Sequence, residues 1–120
     1  MPSPIPPQIH GQRYISLTTF RKNGAAIPVP VWFAERDGKL YVMTRSNTGK
    51  YKRIRNNPQV RVAPCTIRGR VTGTELAAHA RILPPADWQA AKQLIRDKYW
   101  LARVPVLWRK QDGYFEITFD

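Results

Sequence analysis

The sequence predicts a mainly β fold: a six-stranded antiparallel barrel carrying two helices. Three observations point to it. Six short β-rich runs recur along the chain, tight-turn signals join the first three, and only two segments carry helical signals. Strands this short and numerous are best protected by closure, which removes exposed sheet edges. No internal repeat or linker divides the chain. The reading is one domain from residue 14 to residue 120, preceded by an extended proline-rich arm over residues 1–13.

Tyr14 to Phe20 alternates and is rich in β-formers, so it reads as the first strand. Asn23-Gly24 is a hairpin turn signal. Ala26 to Glu35 returns as the second strand, with Ile27, Val29, Val31 and Phe33 on one face. Arg36-Asp37-Gly38 turns again into a third strand, Lys39 to Thr44. A short helix from Gly49 to Asn56 follows, stopped by Asn57-Pro58. Val60 and Val62 mark Gln59 to Cys65 as the fourth strand. Thr66 to Gly73 is a basic loop, and Thr74 to Leu83 is the fifth strand, although its alanines also permit a helix. Pro84-Pro85-Ala86-Asp87 opens the second helix, where Trp88, Ala91, Ile95 and Ala102 fall at helical spacing. Pro105 ends or bends it. Gly113 to Phe119 closes the chain as the sixth strand.

Composition narrows the function classes. The 120 residues are 42% apolar, enough for one small core. No apolar run approaches the roughly 20 residues of a membrane helix, and the N-terminus lacks the pattern of a secretory signal. One cysteine, Cys65, excludes an internal disulfide, so a reducing cytoplasmic setting is expected. Twenty Lys and Arg against eight Asp and Glu give a net charge of +12. Nine basic residues and no acidic one lie between Gly38 and Thr74. Such a field attracts nucleic acid, anionic lipid or a phosphorylated small molecule, unless it is only a solvated basic face.

The sharpest local signal is the junction of third strand and first helix. Helix N-termini present unpaired N–H groups and a partial positive charge, which suit a phosphate. Thr48 can cap this helix, and Gly49 lets an anion approach the backbone. Lys50 supplies a point charge, Lys52 and Arg53 lie one turn on, and Thr44 and Ser46 offer hydroxyls. The alternative is an ordinary capped helix with a basic surface. In the second strand, Pro28 and Pro30 remove donors from the same strand edge. That edge is either blunted against aggregation or left open for a flat ligand, with Trp32 able to pack over a ring.

Reactive side chains are scarce. His10 lies in the arm, His79 in a strand, and neither has an acidic partner near it in sequence. No spacing suggests zinc or any other metal. Cys65 has no visible base. An enzyme built this way leaves the hard chemistry to a cofactor and supplies binding and electrostatics.

The ordered series Gly24, Pro28-Val29-Pro30-Val31-Trp32-Phe33, Leu40-Tyr41-Val42-Met43-Thr44, Gly49-Lys50, Arg53-Ile54-Arg55-Asn56-Asn57-Pro58 and Val60 to Pro64 resembles the split β-barrel flavin and deazaflavin oxidoreductases. These are relatives of pyridoxamine phosphate oxidase, and the branch most resembled is the probable F420-dependent one. The resemblance covers residues 14 to 83 well. It implies an FMN-binding type of split barrel, a homodimer and a cofactor groove at the dimer interface. It implies hydride exchange between coenzyme F420, a deazaflavin, and a small substrate. Lys50 matches the phosphate-binding basic position, with Thr44, Thr48 and Gly49 around it, while Pro30, Val31 and Trp32 match the strand bordering the ring. Val29, Pro30 and Gly49 stand where flavin mononucleotide oxidases usually bring basic groups, which favours deazaflavin over FMN. The helix such proteins tend to carry before the first strand is replaced by the short arm. Two other classes remain as readings: a cofactor-binding protein without turnover, and a basic barrel binding single-stranded nucleic acid through aromatics such as Tyr14, Phe20 and Trp32.

Overall fold

The computed structural model describes residues 5–99 and 113–119. Seven strands and two helices follow in chain order: β1 (Tyr14–Phe20), β2 (Ala26–Trp32), β3 (Ala34–Arg36), β4 (Lys39–Thr44), α1 (Gly49–Asn56), β5 (Gln59–Cys65), β6 (Leu76–Ile82), α2 (Trp88–Lys98) and β7 (Gly113–Phe119). All pair antiparallel in one sheet of order β2-β1-β5-β6-β7-β4-β3. The two edge strands, β2 and β3, are consecutive in the chain, with Phe33 alone between them. The sheet therefore curls until its edges nearly meet, which is a split barrel.

The expected fold class stands, with seven strands in place of six. The run Ala26–Glu35 is not one strand. Residues up to Trp32 pair with β1, and residues from Ala34 pair with β4. Phe33, at the partner switch, has no ladder neighbour for its backbone. The Tyr99 phenol fills that role: it accepts from Phe33 N–H at 3.0 Å and lies 2.9 Å from Phe33 O and 2.5 Å from Arg13 O. A buried backbone pair would otherwise be left without partners.

Alternation aims one side chain in two at the barrel interior. Leu40 and Val42 of β4, Val60 and Val62 of β5, and Phe115 and Ile117 of β7 form its core with Ile15 and Leu17 of β1. Ile54 seats α1 on the same cluster. Within residues 74–83, whose alanines also permitted a helix, Leu76–Ile82 form strand β6, flanked by β5 and β7. At α2, Pro85–Asp87 make a 3₁₀ turn and the α-helix begins at Trp88, burying Ala91 and Ile95. The positions Ala102 and Pro105 lie outside the described residues.

Over its described part the arm turns at Pro6, where the carbonyl accepts from Ile9 N–H at 2.9 Å, and Ile9 is fully buried in the main core. Burial of that one large side chain outweighs the extended bias of the prolines.

The register also orients the prolines of β2. Pro28 faces Thr18 and Pro30 faces Ser16, whereas Val29 and Val31 face Leu17 and Ile15. Only the valine pairs can exchange N–H···O bonds, so the proline positions point to the free edge. That edge offers the Pro28 and Pro30 carbonyls without N–H donors between them.

Candidate functional site

Helix α1 starts at Gly49, one residue past its cap. Thr48 has extended backbone (φ −81°, ψ 158°), and its hydroxyl oxygen accepts from Tyr51 N–H at 3.3 Å. That hydroxyl donates to Arg45 O at 2.9 Å and lies 3.3 Å from the Thr44 hydroxyl. Thr44 is buried at the end of β4, opposite Gly113 of β7. A Cβ on Gly113 would approach the Tyr51 ring to 3.0 Å, so this glycine lets α1 dock against the sheet. Gly49 itself is exposed, and the first turn contains no acidic residue.

Three cations surround this start. Burial pushes the Lys50 ammonium below its ordinary range, and Arg53 and Arg45 push it further. Arg53 folds back over the first turn: a Cβ on Gly49 would lie 2.6 Å from one of its terminal guanidinium nitrogens. Its Nε donates to Thr19 Oγ1 at 2.5 Å, which anchors the head group to β1. Burial, then Arg21, lower the Arg53 pKa, yet an arginine stays charged throughout the working range. Among the described residues no carboxylate pairs with Arg45, Lys50 or Arg53. A partly desolvated Lys50, two further cations beside it and a capped helix start are donors of the kind that suits a phosphate, and the group fits here.

The structure thus gathers Thr44, Thr48, Gly49, Lys50 and Arg53 around one helix start. Ser46 is half-buried in the connecting loop. The β2 residues stand apart from that cluster and differ among themselves. Pro30 is exposed under Gly69, Val31 points into the core, and Trp32 stacks on Tyr99 with centroids 4.6 Å apart and planes 7° from parallel. One Trp32 face is therefore already covered. Trp32 and Met43 pack on the same small cluster of Ala34, Ile95 and Tyr99, so the ends of β2 and β4 lie on one side of the barrel.

Sequence reasoning missed three contributors. Thr19 positions Arg53 across 34 residues, which no local pattern shows. Arg45 supplies the carbonyl that orders Thr48 and adds charge beside Lys50. It sat in plain view between Thr44 and Ser46. Tyr51 packs on Phe115 and fixes the helix. His10, read as lacking an acidic neighbour, holds Glu35 at 2.7 Å, a contact that folding of the arm creates. Burial pushes the Cys65 thiol up, as for a structural cysteine. The described residues hold no cluster able to bind a metal and no helix long and apolar enough to cross a membrane.

The family model described as pyridoxamine 5'-phosphate oxidase matches residues 5–113. The chain belongs to that family. No curated protein matches it. Solved structures share the fold at low identity. A FAD-binding protein from Mesorhizobium loti is 21% identical, with a TM-score of 0.65 over 94% of this chain and 83% of the other. A haem storage protein from Vibrio cholerae is 12% identical, with a TM-score of 0.70 over 98% and 92%. A protein of unknown function from Agrobacterium tumefaciens is 14% identical, with a TM-score of 0.72 over 91% of this chain and 49% of that longer one. The split barrel is therefore a shared frame whose members bind different groups, and this chain's ligand must be argued from its own residues.

Proposed function

We propose that the protein is an oxidoreductase that binds a deazaflavin, coenzyme F420, and exchanges hydride between it and a small organic substrate. The observation that carries this reading is the set of three cations, Arg45, Lys50 and Arg53, that gather at the capped start of α1 with no carboxylate partner among the described residues. Lys50 and Arg53 hold the coenzyme phosphate over Gly49, with Thr44 and Ser46 alongside and Thr48 shaping the helix start as its cap. The Pro28 and Pro30 carbonyls accept N–H groups of the ring, and Pro30, Val31 and Trp32 border it. The bound coenzyme supplies the hydride; the chain positions it and shields it from water. With no acid, base or nucleophile gathered among the described site residues, binding and orientation are the chain's contribution.

A single barrel leaves the proline edge of β2 and the exposed Ile67 and Val71 of the 66–75 loop uncovered. A homodimer with the coenzyme at its interface covers both, and its compartment is the cytoplasm. FMN is the second reading, favoured by the family and by the FAD-binding protein that shares the fold. Against it, β2 brings valine and proline where basic side chains would serve a flavin phosphate. A carrier or sensor without turnover has the same binding residues. Fluorescence titration of the purified protein with F420 and with FMN tests the reading. Micromolar or tighter binding of F420 in preference to FMN is expected, and affinity for neither defeats it. Reduction of an acceptor by the bound reduced coenzyme separates an enzyme from a carrier.

A further inference from the structure

We propose that the cavity between the β1–β2 turn and α1 is a second anion site. It takes the additional phosphate or carboxylate groups of a ligand whose first phosphate sits at the helix start. The identity of that ligand rests on the cradle reading; the site itself does not.

The cavity measures about 430 Å³. Arg21 and Lys22 come to it from the turn, and Lys52, Arg53, Asn56 and Asn57 from α1, with Phe20 beneath. Its four charges are all positive. The carboxylates of the described residues are engaged elsewhere: Glu35 with His10, Asp37 with Arg36, Glu75 with Arg61, and Glu116 with Lys39 and Arg81. Asp87 and Asp97 lie at the two ends of α2. The four cations therefore repel one another with no counter-charge among the described residues, an arrangement that a bound anion relieves.

Part of the wall is held in place. Arg21 N–H donates to Ala25 O at 2.9 Å and Gly24 N–H to Arg21 O at 2.8 Å, in a turn that needs the positive φ of 88° at Gly24. Arg53 is held by Thr19. The Asn57 Oδ1 accepts from Gln59 N–H at 3.1 Å, which leaves its amide N–H₂ as a donor. A volume of about 430 Å³ exceeds what one phosphate fills, since a water takes roughly 30 Å³. Arg53 both covers Gly49 and lines the cavity. The helix-start cradle and the cavity are thus contiguous, and one ligand with several anionic groups can span them. A nucleic-acid strand fits less well, because it needs stacking faces and Arg61 already lies over Phe20 at 5.9 Å.

The test is an amide chemical-shift titration of the full-length protein at constant ionic strength. The probes are inorganic phosphate, tripolyphosphate, citrate and a thymidine oligonucleotide. Tripolyphosphate or citrate should shift the amides of Arg21–Gly24 and Lys52–Asn57, and the stronger of the two assigns phosphate or carboxylate as the natural group. The double variant Arg21→Ala/Lys22→Ala should weaken that binding about tenfold, and Lys52→Gln, on the exposed face of α1, should weaken it independently. Lys50→Ala should leave the cavity shifts in place. Equal affinity of wild type and both variants, shifts spread over every basic residue, or preferential capture of the oligonucleotide overturns the proposal. If the cavity responds but Lys50→Ala leaves coenzyme affinity unchanged, the cradle reading fails and the second site stands.

Discussion

Arg53 Nε donates to the hydroxyl of Thr19, joining the first helix to a fully buried position on the first strand. This contact aims the guanidinium along the first turn of α1. Thr19→Val keeps the shape and removes the acceptor. Coenzyme binding is expected to weaken by up to about 1.5–3 kcal/mol, the range for a hydrogen bond to a charged group, with the folded spectrum retained. Isothermal titration of the variant beside the wild type checks it; equal affinity means that the Thr19 contact does not position Arg53 for binding.

Gly49→Ala places a methyl group 2.6 Å from a terminal guanidinium nitrogen of Arg53. The obstacle is the far end of a flexible side chain, so it moves at little cost and the helix gains a better former. The thermal midpoint should hold or rise, while coenzyme affinity falls. Equal loss of stability and affinity would make Gly49 a purely structural residue.

Much of the frame was legible because each strand has its own local signal. The boundaries of β1, β4, α1, β5 and β7 follow from alternation, turn residues and Pro58 alone. The split of the second strand did not, because Phe33 sits inside an unbroken β-forming run. What breaks it is the curl of the sheet and a phenol 66 residues away. The docking of Ile9 was hidden for the same reason: the prolines speak locally, and the hole it fills is tertiary. At the site, the Thr48 cap and Gly49-Lys50 could be read directly from spacing. Thr19 could not, since a buried threonine on an alternating strand carries no mark of its partner.

Tyr99→Phe tests that break. The variant keeps the ring against Trp32 and deletes the oxygen that serves the Phe33 backbone. Leaving a buried N–H without an acceptor costs about 1–3 kcal/mol. Chemical denaturation should show a loss of that size, and a neutral result would mean that water replaces the phenol.

Lys98 gives a pH signature. Its Nζ is buried with no hydrogen-bond partner among the described residues, 3.5 Å from the Phe33 ring centroid. Burial lowers its pKa from 10.5 to about 8, with Glu35 opposing the shift. Between those two values the unfolded chain binds the proton and the folded chain has released it, so stability rises with pH across this window. Below about pH 8 the charge is present in both states and its desolvation is a constant burden. Lys98→Met should therefore stabilise at pH 7 and lose part of that advantage by pH 9.5. Denaturant midpoints of both proteins at the two pH values check this, and an advantage independent of pH contradicts it.

The most direct measurement is the affinity of Lys50→Ala for coenzyme F420, read by fluorescence against the wild type in the same buffer. Lys50 stands half-desolvated beside Arg45 and Arg53 at the start of α1. If the phosphate of the coenzyme rests there, its removal weakens binding by about 1–3 kcal/mol, while the melting curve stays in place. Undiminished affinity in a folded Lys50→Ala protein would show that the anion is held elsewhere.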